Sequence, residues 1–328
     1  MTDVNEYKQN NNESDLSGKI AFLYTQPILF LVNRVQQTFA YLFAEECRKC
    51  NVEVSQPQLE VLYIISIKPG LDQITLAKSL GTDRSTITVL LDNLAKRNLV
   101  TRERTKDRRR NSLYLTDGAD KILKAGWLAL TRSCKKLLSC MNDNDAKEFL
   151  DVFIEVTSQK NSPAPIWDPS ILKAPGAENR AVQRKLKKLY QIPAFLLDRY
   201  IQIEYANLHE SISPYGLSSG QAGTLFIISL FGPIDQGALR HAQGTDRSSI
   251  SVIVPKLVSL ELISREKDTM DKRRSLVRCT KKGRELIKEA SGSVAEAAAK
   301  CFEDFPEETR KRLQHVVIKL IDALDTES

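Results

Sequence analysis

One pentapeptide occurs twice. Gly81-Thr82-Asp83-Arg84-Ser85 recurs as Gly244-Thr245-Asp246-Arg247-Ser248, 163 positions further on. The same displacement pairs Ser55 with Ser218, Gln58 with Gln221, Leu62 with Leu225, Ile65 with Ile228 and Leu76 with Leu239, without a gap. It continues forward through Ile87/Ile250, Leu94/Leu257, Leu99/Leu262, Arg102/Arg265 and Glu103/Glu266. Beyond these, one inserted residue moves the displacement to 164 and pairs Asp107 with Asp271, Arg109 with Arg273, Arg110 with Arg274 and Thr116 with Thr280. Loops absorb length changes, so the insertion marks a loop. A sequence that contains itself twice specifies two like units, and 328 residues give each of them room for a core of its own.

Between the copies, Pro163, Pro165, Pro169 and Pro175 exclude a regular helix. The expected organisation is a disordered tail over 1–18, a first unit over 19–157, a Pro-rich linker over 158–180 and a second unit over 181–328. The remaining composition removes alternatives. Dinucleotide and P-loop glycine signatures are absent, and three His are too few and too scattered for a His-rich metal centre. The first residues do not read as a signal peptide, and Ile28–Val32 is far short of the ~20 apolar residues of a membrane span. Six Cys are not a disulfide scaffold. The expectation is a protein of the reducing cytoplasm, with no membrane contact and no cofactor.

Hydrophobic periodicity reads alike in both copies and predicts a mainly α fold with small β-wings. Helices are expected over Lys19–Cys50 and Ala181–Ser211, Gln56–Ile67 and Ser218–Leu230, Asp72–Leu80 and Asp235–Ala242, and Asp83–Lys96 and Asp246–Leu260. Short strands follow at Leu99–Arg104 with Ser112–Thr116, and at Leu262–Lys267 with Leu276–Thr280. Long helices close each copy, over Asp117–Leu138 and Asp143–Val156, then Lys281–Cys301 and Glu307–Leu324.

Asp83 is a suitable N-cap, because its carboxylate accepts the free N–H groups of the first turn. Ile87, Leu90, Leu91 and Leu94 then form one buried stripe, leaving Arg84, Ser85, Thr88, Val89 and Asp92 on the opposite face. A short helix ending in Leu80-Gly81 before it completes a helix–turn–helix, whose second helix is suited to a major groove. The hairpin that follows has a basic tip, Lys106-Asp107-Arg108-Arg109-Arg110, matched by Asp271-Lys272-Arg273-Arg274. Arginines on such a wing suit an adjacent minor groove, and Asp107 or Asp271 can brace them through bidentate pairs.

Charge is concentrated where these elements lie. Lys78–Arg110 holds ten Lys/Arg against four Asp/Glu, a balance of +6. Arg240–Arg274 holds eight against five, a balance of +3. Together they exceed the whole chain's +7, so the remainder is slightly acidic. Phosphate binding requires cations segregated in this way.

In order and spacing these motifs resemble the MarR-type winged-helix regulators. The resemblance is carried by Gln58…Leu62, the Gly81-x-x-Arg-Ser-Thr-Ile-Thr helix start, Leu99-Val100-x-Arg102 and Asp107-x-Arg109…Leu115-Thr116. It is carried again by Gln221…Leu225, Gly244-x-x-Arg-Ser-Ser-Ile-Ser, Leu262-Ile263-x-Arg265 and Asp271-x-Arg273…Thr280-x-x-Gly283. It implies two tandem winged helix–turn–helix domains joined by a helical pseudo-dimerisation core. The partner would be double-stranded DNA, read as an imperfect palindrome by a monomeric pseudo-dimer, with further association left open. The implied DNA contacts are Arg84, Ser85, Thr86, Thr88, Val89, Arg108, Arg109 and Arg110, with Arg247, Ser248, Ser249, Ser251, Val252, Lys272, Arg273 and Arg274 in the second copy. The family also implies a small, often aromatic effector in a cleft beside the winged domain, for which Phe39, Phe43 and Trp127 are candidates.

Each feature has a plainer reading. The hydroxyl residues at the helix start are also ordinary N-terminal helix residues. Trp127 and the phenylalanines equally suit a core. Cys47, Cys50, Cys134 and Cys140 suggest zinc or a redox switch, but no such pattern recurs in the second copy, and small buried thiols are common. No nucleophile–base set or carboxylate pair recurs, so no enzymatic activity is expected. The rival function is a winged-helix protein-interaction module that has lost DNA reading. Copy two departs from copy one at Pro255, which stands opposite Asp92 and predicts a kink or early irregularity.

Overall fold

The computed structural model describes residues 28–104, 111–158, 164, 177–243, 247–268 and 275–326. The expected tail, most of the linker, and the wing-tip residues Asp107, Arg108, Arg109, Arg110, Asp271, Lys272, Arg273 and Arg274 lie outside them. Each repeat is described by its helices and strands in chain order. In the first, α1 (Ile28–Lys49) precedes α2 (Gln56–Ile67), β1 (Leu71–Asp72), α3 (Gln73–Leu80), α4 (Arg84–Lys96), β2 (Val100–Arg104), β3 (Asn111–Leu115), α5 (Ala119–Leu138) and α6 (Asp143–Thr157). In the second, α7 (Ala177–Tyr190) and α8 (Pro193–Ile212) precede α9 (Ser219–Phe231), β4 (Ile234–Asp235), α10 (Gln236–Gln243), α11 (Arg247–Ser259), β5 (Ile263–Lys267), β6 (Ser275–Cys279), α12 (Lys281–Lys300) and α13 (Glu307–Thr326).

The chain divides into two compact units, and these do not coincide with the sequence repeats. One holds Gln36–Ile203 and the chain from Lys319 onward; the other holds the described residues up to Val35 and Glu204–Ile318. Each unit therefore takes its winged segment from one repeat and helical segments from both.

Local chemistry explains the matching starts. Ser55 and Ser218 each form a capping box, the serine accepting the N–H of Gln58 or Gln221 while that glutamine accepts the serine N–H. The three-stranded sheets run β1-β3-β2 and β4-β6-β5, all antiparallel. Their hairpins end in the pairs Arg104–Asn111 and Lys267–Ser275, so the inserted residue falls between the paired strands. The two-residue strands β1 and β4 were too short to carry a period and were not foreseen.

Two expectations are corrected. The helix expected over Ala181–Ser211 is two helices, because Pro193 begins a new one after Gln191-Ile192. Proline suits a first turn and disfavours helical backbone in the residue before it. Pro255 lies inside α11, which runs unbroken to Ser259. Only one backbone hydrogen bond is forgone, the ring is exposed, and buried Val254 and Leu257 anchor the helix on either side.

Each unit has its own core. Leu62, Ile65, Leu76, Ile87, Leu91, Leu94 and Leu113 are buried together in one, and Leu225, Ile228, Leu239, Ile250, Leu257 and Val277 in the other. Phe39 and Phe43 are buried and stacked, with ring centroids 6.0 Å apart.

The first unit also buries acid. Asp198 accepts hydrogen bonds from Gln36 Nε2 at 2.6 Å and Gln56 Nε2 at 2.7 Å, and Gln56 Nε2 also reaches Glu60 at 3.0 Å. Burial pushes both carboxyls above their ordinary range, and the charge of Asp198 raises Glu60 further. A raised native pKa means that the folded state holds protons the unfolded chain has released. The resulting stability is complete below the unfolded carboxylate range near pH ~4 and is lost as pH rises through the elevated native values. Melting temperature is therefore expected to fall between mildly acidic and mildly alkaline buffer. Asp198→Asn should flatten that slope; an unchanged slope would remove these carboxyls as its cause.

Candidate nucleic-acid interface

The sharp turn between α3 and α4 depends on Gly81, whose φ of 62° is left-handed and whose N–H closes α3 on the Ala77 and Lys78 carbonyls. Asp83 then caps α4 as its sequence suggests. It accepts the Thr86 N–H at 2.8 Å and the Thr86 hydroxyl at 2.6 Å, and the Ser85 hydroxyl donates to it as well. These hydrogen bonds, led by those from the Ser85 and Thr86 hydroxyls, hold its carboxyl down at about 2. Both hydroxyls thus serve the helix start in the structure as it stands.

Ile87, Leu91 and Leu94 face inward, whereas Arg84, Ser85, Thr86, Thr88 and Val89 are exposed. Val89 is 61% exposed, and its repeat partner Val252 on α11 is 71% exposed. Large apolar side chains standing in water at the same position of both helices are two parts of one repeated surface. Ser251 is exposed beside Val252 and Ser249 is half-buried. Arg247 and Ser248 lie in the first turn of α11, but their side chains fall outside the described residues.

Two supports were not seen in the sequence. Gln73 Nε2 donates to the Thr88 hydroxyl at 2.5 Å and to the Arg84 carbonyl at 3.2 Å, so the first helix of the motif grips the second on its exposed side. Its repeat partner is also a glutamine, Gln236, and that identity was the available signal. Arg102 on β2 pairs with Asp92 on α4 at 2.6 Å, tying the wing to the helix. In the second copy Arg265 is kept but Pro255 replaces the aspartate, so that tie cannot form there. Behind α3, the Tyr190 hydroxyl donates to the Ser79 carbonyl at 2.8 Å and buried Arg199 donates to the Gly81 carbonyl at 3.3 Å. The C-terminus of α3 is thereby fixed by residues from the second repeat.

The aromatic candidates separate. Phe39 and Phe43 are core. Trp127 is partly buried and stacks on Tyr63, with ring centroids 4.1 Å apart and planes within 10°. The stack edges an open hollow that Leu123, Lys124 and Lys185 also line. In the other unit an apolar cavity of about 110 Å³ lies among Phe30, Leu208, Phe226, Ile287, Ser291 and Val294.

Cys47 and Cys134 are not activated thiols. Burial raises Cys47 to about 11 and Cys134 to about 12, leaving both protonated at neutral pH. Among the described residues no group of three or more His, Cys, Asp and Glu is placed to hold a metal, and no helix is long and apolar enough to cross a membrane. His209 and His315 are exposed, and the His241 side chain lies outside the described residues.

A helix–turn–helix followed by a three-stranded wing, present once in each unit, defines a tandem winged-helix protein. MarR family models match residues 54–112 and 215–274, so a segment similar to that family occurs twice in this chain. Transcriptional regulator HosA of Escherichia coli O157:H7 is 34% identical over 74 residues, which are 22% of this chain and 55% of that protein. The chain thus spans about half the length of the curated relatives it matches. Among solved structures, the PcaV transcriptional regulator of Streptomyces coelicolor in complex with its natural ligand is 30% identical, covering 38% of this chain and 86% of that one, with a TM-score of 0.34. A mutant MarR from E. coli complexed with operator DNA is 21% identical, covering 38% and 90%, with a TM-score of 0.36.

Proposed function

We propose that the chain is a sequence-specific, double-stranded DNA-binding transcriptional regulator. One polypeptide acts as a pseudo-dimer on an imperfect palindrome, and a small ligand releases it. The observation that carries the reading is the matched pair Val89 and Val252, each exposed on an otherwise short, polar helix face that follows an arginine at the first helical position. Exposed methyl groups of this kind suit the C5-methyl of thymine in a major groove, while arginine suits guanine or phosphate. The charge balances of the two segments and the match to HosA support the same reading. No nucleophile–base set or carboxylate pair recurs in the two copies.

Arg84, Ser85, Thr86, Thr88 and Val89 are assigned to the first major-groove contact, and Arg247, Ser248, Ser249, Ser251 and Val252 to the second. Arg108, Arg109 and Arg110, with Lys272, Arg273 and Arg274, are assigned to the wings, and Asp107 and Asp271 brace them. The test is pull-down of genomic DNA by the purified chain, followed by footprinting. One chain should protect two patches about one helical turn apart. A bound chain that protects no defined sequence would overturn the proposal and favour the protein-interaction reading.

The two halves are not equal. The first has the higher positive balance, and only there can an Asp92–Arg102 tie hold wing to helix. Arg109→Ala is expected to weaken operator binding more than Arg273→Ala, by roughly tenfold against a few-fold. Equal losses in a side-by-side titration would refute that asymmetry.

A further inference from the structure

The helix α7 is basic out of proportion to its surroundings. Its 14 residues hold Arg180, Arg184, Lys185, Lys187 and Lys188 against one acid, Glu178. Outside the two winged segments the chain is slightly acidic, and this helix is the exception. At 3.6 residues per turn, Arg180, Arg184, Lys187 and Lys188 share one side, and Leu186, Leu189 and Tyr190 the other. Burial follows that division: all five cations are exposed and the three apolar residues are buried. Among the described residues no acid pairs with any of the five.

The apolar side of α7 packs into the first winged core, with Leu62, Leu76 and Leu80. Two hydrogen bonds fix its position. The Tyr63 hydroxyl donates to the Lys185 carbonyl at 3.3 Å, and the Tyr190 hydroxyl to the Ser79 carbonyl at 2.8 Å. Lys187 and Lys188 thus lie within one helical turn of the residue that holds the end of α3, where Lys78 is exposed beside Ser79. Arg199 extends the attachment to Gly81, in the turn that leads into α4.

Resting on the DNA-binding reading above, we infer that the exposed side of α7 is a further DNA-contacting element, which grips the phosphate backbone beside the first helix–turn–helix. Long, unpaired cations on a surface helix suit phosphates and do not read bases. The helix dipole does not account for them. Lys187 and Lys188 complement it in the last turn, but Arg180 stands near the opposite end, where a cation is unfavourable. A lipid surface fits less well, because it needs an apolar face free to enter the bilayer, and here that face is buried in the core. The contact is one-sided: residues 14–27, which precede α1 in the first repeat, hold Lys19 as their one Lys or Arg.

Salt titration of the full-length chain on a mixed-sequence DNA duplex tests this, with Arg184→Gln, Lys187→Gln and Lys188→Gln combined. Glutamine is a good helix former and the three side chains are exposed, so the melting temperature should not change. Binding at low salt should weaken about tenfold or more, and the log–log slope should become shallower by about 2–3 units, at about 0.9 for each phosphate released. Arg184→Gln alone should remove about one unit. A control that takes three exposed cations from other helices, Lys135→Gln with Lys288→Gln and Lys311→Gln, should leave the slope close to the parent's. An unchanged slope in the α7 variant, or an equal change in the control, would overturn the inference and leave the DNA-binding reading standing. A parent that binds no duplex would overturn both. Lost binding to phosphatidylserine vesicles with undiminished binding to the duplex would also overturn it, and would give the helix to a lipid surface.

Discussion

A chain carrying Arg84→Ala together with Arg109→Ala should bind its operator about a hundredfold more weakly than the parent at physiological salt. Arg84 stands at the exposed start of α4, and Arg109 falls in sequence between β2 and β3. Removing a base-edge or well-placed phosphate contact costs about 1–3 kcal/mol, and two such losses in separate elements add approximately. The fold should not suffer. Arg84 is exposed, and its positive charge beside the helix N-terminus opposes the helix dipole, so its removal is neutral or slightly stabilising. Fluorescence anisotropy on an operator duplex, with melting temperature in parallel, separates the two effects. Loss of affinity with an unchanged melting temperature is the expected outcome, and unchanged affinity would exclude these residues from the interface.

Gly283→Ala should cost about 3 kcal/mol of stability, toward the upper range for overpacking. A Cβ there would lie 2.2 Å from the Leu262 carbonyl oxygen and 2.9 Å from Cys279 Sγ. The first contact is with backbone, which cannot rotate away. Thr280 caps the helix by accepting the Gly283 N–H at 3.0 Å, holding the glycine against β5. The first repeat carries a buried Ala119 at the matching place, where α5 starts two residues later in the repeat than α12. Melting should fall by roughly 5–10 °C. A fall below about 1 °C would mean that the helix start relaxes freely.

Much of this was legible in the sequence because it is local. Gln56–Ile67 begins and ends where periodicity puts it, Asp83 caps as its carboxylate suggests, and the inserted residue falls between paired strands. What escaped depends on partners distant in sequence. Helical periodicity shows that Trp127 has a helix neighbour but not that Tyr63 lies under it. Nothing near Gly81 announces that Arg199 binds its carbonyl. The buried trio of Gln56, Glu60 and Asp198 joins residues more than 130 positions apart, and no short-range pattern encodes that. The compact units draw helices from both repeats, and identical patterns do not say which copy a given helix packs against.

The most direct test of the central claim is the salt dependence of operator binding, with the number of chains per duplex determined in the same titration. The account predicts one chain per duplex and a log–log slope of about −0.9 for every phosphate neutralised, hence several units for two wings and two helices. Binding that scarcely responds to salt, or that requires two chains for each duplex, would contradict it.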